Sequence, residues 1–139
     1  MGRLEKAGSF AQTEVGAGLR SIEMGIQKLC EDVILVELPA EPVLNEELKC
    51  LVDIICGGDA CNVILDFSRV DIVTSSSISK LLKLRKLVLD WGRRLVFCNI
   101  ATTTRSIFAV TALLTTFDIV NDRSSAVAKI ENDSLSRQR

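Results

Sequence analysis

Four hydroxyl side chains follow one another at Thr74-Ser75-Ser76-Ser77, immediately before the longest stretch of helical periodicity in the chain. The start of a helix leaves its first N–H groups without intrahelical acceptors, and Ser and Thr supply acceptor oxygens there. One or two hydroxyls meet that need, and a run of four exceeds it. The same position favours a second chemistry. Unpaired N–H donors and the positive end of a helix dipole stabilise an added phosphate. A phosphoserine brings about −1.5 to −2 charges, and a change of about 1.4 kcal/mol at an interface shifts its affinity tenfold. One modified serine is therefore enough for a switch. On pattern alone, capping and phosphorylation both stay open.

Other chemistries are narrowed by what the chain lacks. It contains no histidine, which removes Ser-His-Asp and Cys-His nucleophile systems, imidazole metal sites and phosphohistidine relays. A nucleophilic Ser75 would need a lysine or carboxylate base, and no lysine is placed beside it by spacing. The chain is accordingly read as a non-enzyme without a cofactor. The cysteines are Cys30, Cys50, Cys56, Cys61 and Cys98, an odd number with no C-x-x-C pair. Cys50, Cys56 and Cys61 offer three zinc ligands at loose spacing; the alternative is reduced, structural thiols, the usual state in intracellular chains. Cys98 lies inside an apolar run and reads as a small buried hydrophobe.

Charge and aromatic content bear on partners. A net charge of −1 gives no field to concentrate on polyanions, and 4% aromatics with no Tyr gives no stacking surface for bases. Nucleic acid is thus not an expected partner. The apolar runs fall far short of the ~20 residues that span a bilayer. The N-terminus shows no apolar segment followed by a small-residue cleavage site. The expectation is a cytoplasmic protein without membrane attachment.

The elements that must position the hydroxyl run are legible in the pattern. Residues 1–17 and 131–139 read as flexible tails around one domain at 18–130. Strands are expected at Ser21–Cys30, Val33–Leu38, Asn62–Phe67, Arg94–Ile100 and Phe117–Val120, with a tight turn at Glu31-Asp32. Helices are expected from Glu46, capped by Asn45 and ended by Gly57-Gly58, and then at Ser75–Trp91, Thr102–Leu114 and Ser124–Ile130. Strands and helices alternate, and the strands are continuously apolar. That combination predicts an α/β fold with a mixed, mostly parallel sheet of about five strands packed with about four helices. On the long helix, Ile78, Leu81, Leu82, Val88 and Leu89 form the expected buried face, with Leu84 and Trp91 at its edge and Arg85 reaching to the rim. Ser79, Lys80, Lys83, Lys86 and Asp90 fall opposite, as a solvated face or a docking surface.

From Asn62 to Ile130 the sequence resembles a STAS domain, the fold of bacterial anti-sigma factor antagonists. That family shows a strand ending Leu-Asp-Leu-Ser, then Asp-Ser-Ser-Gly, a long helix, a Gly, a strand ending Asn-Val, and a later Leu-Thr-Gly-Leu. Here these positions hold Leu65-Asp66-Phe67-Ser68, Thr74-Ser75-Ser76-Ser77, Gly92, Asn99-Ile100 and Val110-Thr111-Ala112-Leu113. Thr74 stands for the family's Asp, Ser77 and Ala112 for two of its glycines, and Pro39-Ala40-Glu41-Pro42 for a Gly-containing segment. The resemblance implies a regulatory protein that binds an anti-sigma factor or related serine kinase, with other STAS proteins as a second class of partner. It implies phosphorylation at Ser75, with Ser76 as second choice. It implies partner contacts through Thr74, Ser75, Ser76, Ser77, Ser79, Lys80 and Lys83. The alternative is a phosphorylation-independent scaffold subunit of a larger signalling assembly.

Overall fold

The computed structural model describes residues 25–58 and 60–138, with side chains through residue 132. The N-terminal arm and the beginning of the first expected strand lie outside the described residues. The elements are β1 (Gly25–Cys30), β2 (Val33–Glu37), α1 (Val43–Cys56), β3 (Asn62–Asp66), α2 (Ser75–Asp90), β4 (Leu95–Cys98), α3 (Thr102–Val110), β5 (Asp118–Ile119) and α4 (Arg123–Gln138). They form one sheet in the order β1-β2-β3-β4-β5. β1 is antiparallel to β2, and every later pairing is parallel. This is the mixed, mostly parallel α/β sheet expected from the alternation of strands and helices.

Period-2 side-chain alternation divides the core between the two faces of the sheet. Val36, Val63, Leu65 and Phe97 face a large cluster with Leu44, Leu48 and Leu51 of α1, Leu81, Leu84 and Val88 of α2, and Phe108 of α3. Val33, Leu35, Ile64, Val96 and Cys98 face Ala126 and Ile130 of α4. All five residues of β3 are buried, because a parallel strand lies on each side and helices cover both faces. Phe67, Phe97 and Phe117 join the end of β3, β4 and the approach to β5, with ring centroids 4.9 and 4.5 Å apart.

The structure corrects several boundaries. α1 begins at Val43 with Pro42 as its N-cap, so Asn45 lies inside the helix and does not cap it. The fixed φ of proline suits the start of a helix. α3 stops at Val110, four residues before the expected end. Ala112 takes φ 63°, and Leu113 N–H donates to Phe108 O at 2.7 Å, closing a left-handed C-terminal motif. α2 closes in the same way on Gly92, at φ 79°. α4 stays helical to Gln138, past the expected limit at Ile130.

The buried stripe of α2 is Ser77-Leu81-Leu84-Val88, which keeps Leu81 and Val88 of the predicted face and moves its centre toward Leu84. Leu82 and Leu89 are exposed, because among the described residues α1 and the sheet leave no third surface to cover them. Arg85 does reach the rim, where its Nε donates to Thr116 O at 3.0 Å.

Candidate functional site

The hydroxyl run sits at the carboxyl end of β3, on a loop held at each step. Ser68 N–H donates to Asp66 Oδ1 at 2.9 Å and Val70 N–H to Phe67 O at 2.9 Å. Val70 and Val73 are buried, which pins the middle of the loop to the core. From α3, the hydroxyls of Thr103 and Thr104 both donate to Asp71 O. The chain therefore reaches α2 in a fixed conformation, with Ile72 left exposed.

Thr74 is the N-cap of α2. Its backbone is extended and its Oγ1 accepts the Ser77 N–H at 3.1 Å. A carboxylate from the loop between β2 and α1 completes the cap. Glu41 Oε2 accepts the Thr74 N–H at 3.0 Å, the Thr74 hydroxyl at 3.2 Å and the Ser77 hydroxyl at 2.5 Å. Ser77 is fully buried. It was expected to meet a partner, yet its hydroxyl points inward to Glu41 and is not on the surface. Ser75 and Ser76 are exposed in the first turn of α2. Ser76 Oγ accepts from Lys80 Nζ at 3.4 Å, while Ser75 stands outside the Glu41 network. Ser79 and Lys83 are exposed on α2, and Lys80 is half-buried.

A second polar cluster lies at the ends of the neighbouring strands. Asp66, the last residue of β3, is buried. It accepts from Arg123 Nε at 2.6 Å and Asn99 Nδ2 at 3.1 Å, and Arg123 also pairs with Glu37. Burial alone would raise the Asp66 carboxyl, but bonds from Ser68, Asn99 and Arg123 outweigh it and hold the group below its ordinary range. The same two carboxylates raise the Arg123 guanidinium further, Asp66 more strongly than Glu37. Burial, with the Asp66 charge next in weight, pushes the Cys98 thiol up to about 12, which disfavours the thiolate form. Among the described residues no group of His, Cys, Asp or Glu is arranged to hold a metal. Cys50 and Cys61 pack against the core, whereas Cys56 is exposed.

Residues 22–126 match the family model described as STAS domain. The chain belongs to the STAS domain family. Solved STAS structures have the same fold. An anti-sigma factor antagonist (STAS) domain protein from Planctomyces limnophilus is 14% identical, with 78% of this chain and 97% of that chain covered and a TM-score of 0.69. The anti-sigma factor antagonist SpoIIAA in its unphosphorylated form is 15% identical, with 78% and 96% covered and a TM-score of 0.66. A serine-to-glutamate variant of RsbS from Moorella thermoacetica is 18% identical, with 83% and 98% covered and a TM-score of 0.66. Comparison with curated protein sequences finds no match.

Three residues at which the resemblance marked departures meet at one point. Thr74, Ser77 and Glu41 are the three members of the cap network. Thr74 brings no carboxylate to the cap; Glu41 supplies one from another loop, and the Ser77 hydroxyl donates to it. Sequence reading registered each departure separately and missed their contact, since Glu41 lies 33 residues from Thr74. It also missed Arg123. The available signal was Asp66 itself, a charged residue closing an apolar strand, which needs a cation once buried.

Proposed function

We propose that the protein is an anti-sigma factor antagonist-like regulator that docks on an anti-sigma factor or related serine kinase, controlled by phosphorylation of Ser75. One observation carries this reading. Of the four hydroxyl residues, Thr74 and Ser77 are committed to Glu41 and Ser76 accepts from Lys80, so Ser75 is the exposed serine outside these bonds at the start of α2. The similar SpoIIAA structure is an antagonist solved in a form named for lacking its phosphate, and the RsbS structure carries glutamate in place of a serine, which agrees with a serine-centred switch.

The docking surface is the outward strip of α2. At 100° per residue, Ser75, Ser79, Leu82, Lys86 and Leu89 fall on one side of the helix. Leu82 and Leu89 are 38% and 40% exposed. A neutral serine at the end of this strip can be desolvated by a partner, whereas a phosphoserine resists desolvation. No helix among the described residues is long and apolar enough to cross a membrane. The reading places the protein in the cytoplasm, where ATP and sigma regulators are found. Titration against the purified anti-sigma factor kinases of its host tests it. Ser75→Ala should bind as the parent does and Ser75→Asp at least about tenfold more weakly. Equal binding of parent and Ser75→Asp by a kinase that binds the parent tightly would refute the switch.

A further inference from the structure

The Glu41 carboxylate is poorly balanced. Oε2 collects three donors, all from Thr74 and Ser77. Oε1 is buried without a hydrogen-bond partner among the described residues. Among the described residues no lysine or arginine pairs with Glu41. Its charge is met only by two hydroxyls, one N–H and the positive end of α2. Ser75 opens the first turn of that same helix.

We propose that Glu41 and a charged group on Ser75 compete for the start of α2, so that charging Ser75 expels the Glu41 carboxylate and frees the segment between β2 and α1. The inference rests on the Ser75 switch and names the part of this chain that registers it. A phosphate on Ser75 has partners that Glu41 lacks. The N–H groups of the first helical turn have no intrahelical acceptor, and Lys80 already reaches the first turn at Ser76 Oγ. Two anions at one helix start repel, and the less compensated one leaves. The release is local. Leu38 is fully buried with its N–H on Asp66 O at 3.1 Å, and Leu44 is fully buried at the far side. Between them Pro39 is buried and α1 starts at Val43, so the segment free to move is residues 40–42. Because this segment faces the start of α2, the switch alters the shape of the docking edge as well as its charge.

The test needs no partner protein. The full chain is prepared with serine or site-specifically incorporated phosphoserine at position 75, each with Glu41 or with Glu41→Gln. Amide hydrogen exchange is followed across residues 40–44, together with the Thr74 amide resonance. With Glu41 present, phosphoserine should speed exchange in this segment by about tenfold or more, the signature of local opening, and should move the Thr74 amide upfield as it loses its carboxylate acceptor. With Glu41→Gln, which keeps the shape but not the charge, the added phosphate should change exchange by less than about twofold. Unchanged exchange and an unmoved Thr74 amide in the Glu41 protein would overturn the proposal. Equal acceleration in both backgrounds would overturn it as well. If Glu41→Gln does not fold, the Thr74 resonance in the Glu41 protein decides. Failure here leaves the kinase titration untouched, so the two readings fail separately.

Discussion

Arg123, the first residue of α4, donates from Nε to Oδ2 of Asp66, the last residue of β3, at 2.6 Å. This contact fastens the only helix that covers the second face of the sheet, among the described residues, to the strand that leads into the Ser75 loop. Asp66 is 1% exposed and Arg123 41% exposed. Removing the cation strands a buried carboxylate, though water reaching the vacated position softens the cost. Arg123→Ala should destabilise the fold by about 2 kcal/mol, below the range for fully buried pairs. Urea denaturation of the two proteins measures it.

The same carboxylate sets an acid limit. Its folded pKa lies below the ordinary 3.8. Between the two values the unfolded chain binds the proton and the folded chain does not, so stability rises with pH there. The stabilisation is fully present above pH ~4 and is lost as pH falls through the folded pKa. Asp122, lowered by its bond from Ser125 N–H, acts in the same direction. Chemical denaturation from pH 6 downward should show stability falling below about pH 4, with a shallower fall in Asp66→Asn. An unchanged slope in that variant would contradict the assignment.

Ala112 holds a left-handed conformation at the end of α3, a backbone region that favours glycine. A Cβ in that region costs roughly 1–2 kcal/mol, and the greater freedom of unfolded glycine returns part of it. Ala112→Gly should therefore stabilise the protein by about 0.5–1 kcal/mol, seen as a raised thermal midpoint.

The two faces of α2 separate by truncation. Leu84→Ala removes a fully buried side chain from the main cluster and should cost about 2–5 kcal/mol. Leu82→Ala, on the outward strip, should change stability by less than about 0.5 kcal/mol. The arc read from sequence included Leu82 in the buried face, so a large loss at Leu82 would favour that arc over the structure.

What the sequence made legible was whatever depends on neighbours along the chain. The order of elements, the stop at Gly92 and the buried apolar strands each follow from local pattern, and the structure has all three. Side-chain burial on α2 was misread because seven apolar residues there exceed what two neighbouring surfaces can cover, and only packing decides among them. The end of α3 was misplaced because Ala112 carries no sign of a positive φ. The Glu41 cap and the Arg123 bond join residues 33 and 57 positions apart, which no periodicity reports. Asp66 and the hydroxyl run each marked one end of such a contact, but not the other.

The most direct measurement is site-resolved mass analysis of the protein recovered from its host during growth and under stress. The account predicts a fraction of molecules heavier by ~80 Da, the mass of one phosphoryl group, with fragmentation placing the phosphate on Ser75 and no such fraction in Ser75→Ala. Phosphate found on Ser76 instead, or none under any condition in which a cognate kinase is active, would contradict it.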